Sequence, residues 1–412
     1  MTPLRYYLLG TGTWFASYGI QGVIFAWLIT LVLRETPSMV GVAQTAMLLP
    51  AMLFMLIGGS LADRWGGRIV AARAQALAVI PPLVLVYVLL TDRLSIEIMI
   101  AYAATIGVLQ AFVTPSRDGL LNTVASGRIQ RTVVQVTLLQ FTVQMLGFGL
   151  AGTAAYIGGE WIVLTQALLL AVGAWAFYQL PRIQQITLQK TDVLISSIWH
   201  SISEGSRTVM QSPGMRTVVI TNIAMGIFFM GSYIVTIPLH IREIYDGTSV
   251  DLAIVNGLNS LGLVIVIFTL LKRGDIKRQG RALLIAHGLG AAFLVCASAV
   301  SQFSVFGLFL FCWGACGGVA MSMSRTVMQE LAPEDQRGRV MGFFSFSFMG
   351  AGPIGALGLG FLVEQLGSSA TIAIAGIGMF AIAVFMGIWT PLWRLSTSSV
   401  SSSTESTGYS AT

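Results

Sequence analysis

Gly58-Gly59-Ser60-Leu61-Ala62-Asp63-Arg64-Trp65-Gly66-Gly67-Arg68 runs from the end of one apolar stretch, 38–61, to the start of the next, 70–91. At 1.5 Å per helical residue each stretch is long enough to cross roughly 30 Å of hydrocarbon. The loop between them is short, glycine-rich and basic, as expected where two spanning helices reverse at a membrane surface. Moving outward in both directions, the same alternation of apolar run and short charged break repeats along the chain.

Composition agrees. Of 412 residues 55% are hydrophobic and only 10% charged, and the mean hydropathy is +0.80; a soluble domain carries about 25% charged residues. The excess of +6 could suggest a nucleic-acid partner, but Lys and Arg sit in short loops and not on one soluble face, so no nucleic acid is expected. Cys296, Cys312 and Cys316 lie within apolar runs with no Cys/His spacing for a metal, and read as small packing residues. No cofactor, metal or catalytic residue is indicated: the chain shows no nucleophile/base pair and no nucleotide loop, which argues against an enzyme. The first run follows a single Arg5 and lacks a small-residue cleavage site, so it reads as a retained span.

Twelve spans result, near 8–33, 38–61, 70–91, 95–116, 132–158, 161–181, 214–239, 249–271, 281–301, 303–326, 338–364 and 368–393. Placing the N-terminus and alternate loops on one face collects 20 of the 23 basic residues there; only Arg34, Arg93 and Arg242 fall on the other. Asp and Glu split evenly, so the bias belongs to the cations that set topology. We call the rich side the basic face; the positive-inside rule makes it, and both termini, cytoplasmic.

The chain also repeats itself at an offset of 208 residues. Ser116-Arg117 aligns with Ser324-Arg325, Arg131 with Arg339, Gly147 with Gly355 and Gly152 with Gly360. The fold class expected is therefore an all-α membrane protein of two pseudo-symmetric six-helix bundles, 1–181 and 214–395. Between them lies a polar connector, 182–213, in which Leu194, Ile198 and Ile202 recur every four residues beside Ile195 and Trp199. With Lys190, His200 and Arg207 this reads as an amphipathic helix at the cytoplasmic surface, or as a partly ordered linker. The Ser- and Thr-rich end, 396–412, reads as a disordered cytoplasmic tail.

The loop at 58–68 resembles the signature of the major facilitator superfamily, Gly-x-Leu-Ala-Asp-Arg-x-Gly followed by basic residues, with a departure at Gly67, where Arg or Lys is usual. Glu204-Gly205-Ser206-Arg207-Thr208-Val209 with Pro213 and Arg216, and Ala332-Pro333-Glu334-Asp335-Gln336-Arg337-Gly338-Arg339-Val340-Met341-Gly342 with Gly352-Pro353 and Gly355, are similar to the enterobactin-exporter and multidrug-efflux branch of that superfamily. The resemblance implies a multi-pass transporter of the cell inner membrane working by alternating access, with export of a siderophore-like or drug-like molecule, proton antiport, and the lipid bilayer and a small-molecule substrate as partners.

It also implies roles. Asp63, Arg64, Gly59, Gly66, Arg68 and Arg339 would form an inner gate that is latched when the protein opens outward, or else a loop that only sets topology. Helices 1, 4, 7 and 10 would line the cavity, nominating Gln21, Gln110, Asn222, Phe229, Tyr233 and Trp313. Gly147, Gly152, Gly352, Pro353 and Gly355 would serve close helix packing or a rocking hinge. No span has Asp or Glu near its centre, the default place for proton coupling, and His287 reads as a hydrogen-bonded packing residue. The missing carboxylate favours an alternative, uptake or facilitated diffusion; a membrane sensor or partner subunit is a further one.

Overall fold

A computed structural model describes residues 2–125, 129–181, 195–273, 276–334 and 336–394. The Ser-rich tail, Arg128, Lys190, Leu194 and Asp275 lie outside these, and so do the side chains of Asp63, Arg131, Ile195, Ile198, Trp199, His200 and Ile202. Among the described residues there is no strand; twelve helices are long and apolar enough to cross a membrane. They are α1 (Pro3–Val32), α2 (Pro37–Trp65), α3 (Gly67–Leu90), α4 (Ile96–Val124), α5 (Ile129–Gly152), α6 (Gly159–Tyr178), α7 (Pro213–Tyr245), α8 (Ser249–Arg273), α9 (Gln279–Ser298), α10 (Phe303–Leu331), α11 (Arg337–Leu366) and α12 (Ser368–Trp389). Large apolar side chains such as Leu90, Leu146, Phe361 and Ile388 are exposed, which suits lipid as the solvent.

Helix irregularities have local causes. α3 breaks at Ala78–Val79, because Pro81 and Pro82 have no N–H for the carbonyls a turn earlier. The span expected at 132–158 is present but interrupted at Thr153: its long helix runs to Gly152, and a single turn, Ala154–Ile157, follows. Gly66, at a φ of +88°, closes α2 and opens α3, a left-handed conformation that favours glycine. α1 finishes in a wide π turn at Leu28–Val32, and α7 is wound as a π-helix at Met225–Met230 and Ser232–Thr236. Such segments are rare and concentrate at functional sites.

Contacts group the chain into two compact units. One holds residues 1–193 with Ile237–Gly257 and Ala356–Glu364; the other holds Leu194–Thr236, Leu258–Gly355 and 365–412. The first unit thus contains, beside α1–α6, the ends of α7, α8 and α11 away from the basic face.

Within both units, helices approach through glycine. A Cβ on Gly147 of α5 would lie 2.4 Å from the Ala16 carbonyl oxygen of α1, and one on its repeat partner Gly355 of α11 would lie 2.3 Å from that of Ile227 in α7. Sequence recurrence at offset 208 therefore corresponds to the same packing in each half. In lipid, where apolar burial drives helices together only weakly, such contacts carry much of the association.

Candidate functional site

In the first unit Gln21 of α1 is the centre of a buried polar cluster. Its Oε1 accepts from the Tyr102 hydroxyl of α4 and, at 2.8 Å, from Nε2 of Gln166 in α6. All three are at most 6% exposed. The Gln21 Nε2 has no protein partner. Gln21, Gln110 and Gln166 line a cleft together with Trp14, Ser17 and Tyr18, with about 20 Å³ of room, space for one water molecule. Of the expected cavity residues the structure thus joins Gln21 and Gln110. Tyr102 and Gln166 were not anticipated, although each is a lone polar group in an apolar run.

The second unit holds an aromatic group. Phe229 packs edge to face on Trp313, ring centroids 5.5 Å apart, and Tyr233 lies 6.2 Å from Trp313, tilted to it. Both α7 residues sit in the π-wound segments. Asn222 is not part of this group: its Nδ2 donates to the Phe344 carbonyl at 3.2 Å and to Ser347 Oγ at 3.1 Å, tying α7 to α11.

At the basic face, Arg68 donates to the Tyr178 carbonyl at 2.5 Å and lies over that ring, 5.3 Å from its centroid. A cation here satisfies the free carbonyls at the end of α6. Arg281 does the same in the second unit, donating to Trp393 at 3.1 Å and stacking on its ring at 5.1 Å. Arg281, at the start of α9, is thus a structural counterpart of Arg68, at the start of α3. The departure at Gly67 also has a reason, since a Cβ there would lie 2.8 Å from the Ser116 carbonyl. Gly59 is less tightly held, and Arg64 is exposed. Arg339 pairs with Glu204 of the connector helix, Ile195–Gln211. A Cβ on the adjacent Gly205 would meet the Arg339 carbonyl at 2.6 Å, so helix and α11 are in close contact.

On the opposite face three helix pairs of the first unit are clasped at their ends. Arg242 of α7 donates to the carbonyls of Glu35 at 2.8 Å and Thr30 at 3.4 Å, where the π turn closes α1. Glu364 of α11 accepts from the Ser38 N–H of α2 at 3.1 Å, a carboxylate at a helix N-terminus. Beneath it Gly41 and Gly360 approach so closely that a Cβ on either would lie within 2.8 Å of a backbone oxygen of the other helix. Ser249 of α8 donates to the Gly152 carbonyl at 2.8 Å and accepts from the Ala155 N–H at 3.1 Å, and Gly152 admits Ala253. A polar cleft of about 510 Å³ opens beside Arg34, Glu35, Arg242, Glu243 and Asp246. Gly352 and Pro353 lie buried within an unbroken α11.

A family model described as Major Facilitator Superfamily matches residues 7–356. The multidrug efflux pump Tap of Mycolicibacterium fortuitum is 26% identical over 398 residues, 93% of this chain and 94% of Tap. Among solved structures, a mutant of the nucleoside transporter NupG superposes with a TM-score of 0.75 at 14% identity, covering 94% of this chain and all of that one. A D-xylose-proton symporter superposes with a TM-score of 0.72 at 16% identity, over 95% and 98% of the two chains.

Proposed function

Because the chain belongs to the major facilitator superfamily, we propose that this multi-pass membrane transporter exports a small organic molecule, drug-like or siderophore-like, across the cytoplasmic membrane by alternating access coupled to protons. The observation that carries the direction is the match along nearly the full length to an efflux pump. The basic face is cytoplasmic on this reading, which puts the three clasps on the outer side. Each clasp rests on a helix terminus or a glycine contact, so each can be made and broken without unfolding a helix, as an outer gate requires. The cluster around Gln21 and the rings of Phe229, Tyr233 and Trp313 supply the two chemistries an amphipathic substrate needs: a few oriented polar groups and apolar, stackable walls. Asp63 and Arg68 would close the cytoplasmic side when the outer clasps part.

Uptake or facilitated diffusion is the second reading, favoured by the absence of Asp and Glu from the centre of every span. Flux decides between them. The full chain in liposomes, given ethidium and a panel of siderophores, is expected to accumulate at least one of them against its gradient only when a pH gradient is imposed. Equal flux in both directions, indifferent to the pH gradient, would overturn coupled export.

A further inference from the structure

His287 lies on α9, eight residues from its start, so about 12 Å along the helix from the basic face. It is 2% exposed, and neither ring nitrogen has a hydrogen-bond partner among the described residues. The expectation of a hydrogen-bonded packing histidine therefore fails. Its neighbour is the Phe229 ring, at 6.4 Å and edge to face; one turn along α9, Gly290 faces Phe229, Trp313 and Cys316. An imidazolium without counter-charge or hydrogen bond would be costly there, so the ring as packed is the neutral imidazole. Even neutral, it gains less from this site than an apolar residue of the same size would.

A protein that alternates between conformations can hold such a group dry in one and hydrate it in another. The chain has three histidines. His240 lies at the outer end of α7 and His200 in the connector, which leaves His287 as the group deep in a span whose charge changes near neutral pH. Among the described residues no counter-ion faces it. α12 carries no charged or titratable residue along Ser368–Trp389; α10 offers Cys316, with Cys312 a turn away; α7 offers Tyr233, packed on Trp313.

We propose that His287 is a proton-binding site of the transport cycle, sealed and neutral in the conformation described here and protonated when the outer clasps are open. The gating element is the π-wound segment Met225–Met230, which holds Phe229 against the imidazole. Rewinding it to an α-helix turns Phe229 away and admits water to the ring. A ring nitrogen then takes a proton through its lone pair, and the neighbouring aromatic faces stabilise the cation; the proton leaves when the segment winds back. The proposal rests on the alternating-access reading above.

Linkage supplies a test that needs no substrate. If the open state binds the proton and the closed state does not, acid must open the clasp. Spin labels on Val32→Cys and Ile244→Cys, at the ends of α1 and α7 in a chain with its native cysteines replaced by alanine, report the separation by pulsed electron resonance. The long-distance population is expected to grow several-fold between about pH 8 and pH 5, and to stay constant in H287Q and H287N. His240, Glu35, Glu243 and Asp246 also border the clasp, so H240Q is run alongside and is expected to retain the response. A distance indifferent to pH in the unsubstituted chain, or one that follows pH equally in H287Q, overturns the assignment. If neither His287 variant folds, nitrogen NMR of ¹⁵N-histidine in the labelled chain decides: one imidazole should gain its proton in step with the distance change, and no such correlation overturns the proposal. These outcomes are independent of the vesicle assay, which tests transport itself.

Discussion

The guanidinium of Arg242 donates to the backbone carbonyl of Glu35 at 2.8 Å, 207 residues away in sequence, and so ties the end of α7 to the end of α1. Both helices close on a left-handed non-glycine residue, Arg34 at a φ of +52° and Asp246 at +45°. Arg242 thereby supplies the donor that the last carbonyls of α1 need. It also explains why a cation stands on the wrong side of the charge partition.

Arg242→Gln is expected to weaken the outer clasp. Hydrogen bonds from a charged donor are worth about 1.5–3 kcal/mol when sheltered; the Arg242 side chain is 18% exposed. A loss of about 1.4 kcal/mol, roughly a tenfold rise in the open-to-closed ratio, is expected. The distance between labels on Val32→Cys and Ile244→Cys measures it.

Glycines that look alike in sequence should separate in the tube. Gly147→Ala and Gly355→Ala each set a methyl against a carbonyl oxygen of an adjoining helix, while Gly149 and Gly358 have nothing within 4 Å of a Cβ. The first pair should cost about 1–3 kcal/mol. The second should be neutral or gain up to about 1 kcal/mol through helix propensity. Thermal unfolding in one detergent ranks all four.

The Gln21 cluster makes an asymmetric prediction. Tyr102→Phe removes one donor to Gln21 Oε1 and leaves the bond from Gln166 in place, so a loss near 1 kcal/mol is expected. Gln21→Leu removes the acceptor shared by the Tyr102 hydroxyl and the Gln166 amide and leaves them only their long contacts with each other, at 3.3 and 3.5 Å, so it should cost about 2–3 kcal/mol. Equal effects on thermal stability would show that Gln21 is not the hub.

Glu204→Arg should release the connector helix from α11, and Glu204→Arg with Arg339→Glu should restore it. Both side chains are more than a third exposed, so the coupling should stay under about 1 kcal/mol. Protease sensitivity of the connector in the two single variants and the double variant checks it.

Much of the fold was legible because hydrocarbon imposes length and polarity rules that a sequence must state openly. Twelve apolar runs and one-sided cations appear in the sequence as twelve helices before any packing is considered. Pro81-Pro82 could have marked the break in α3, and Arg242, as an exception to the charge rule, was itself a signal of the outer clasp. The site was less legible for the opposite reason. Gln166 and Tyr102 become meaningful only when α4 and α6 bring them to Gln21, and nothing local distinguishes Gln166 from the exposed Gln135 on α5. The tie from Asn222 to α11 could not be read either, because its partners, Phe344 and Ser347, lie more than 120 residues away. Winding of α7 as a π-helix has no sequence mark that the spacing of Phe229 and Tyr233 could have revealed.

The central claim is that the outer ends of α1 and α7 must part for substrate to leave. A reducible thiol cross-linker joining Val32→Cys to Ile244→Cys, in liposomes carrying ethidium and an imposed pH gradient, tests it most directly. Transport should fall to background on cross-linking and return on reduction. Undiminished transport by the cross-linked chain would contradict the account.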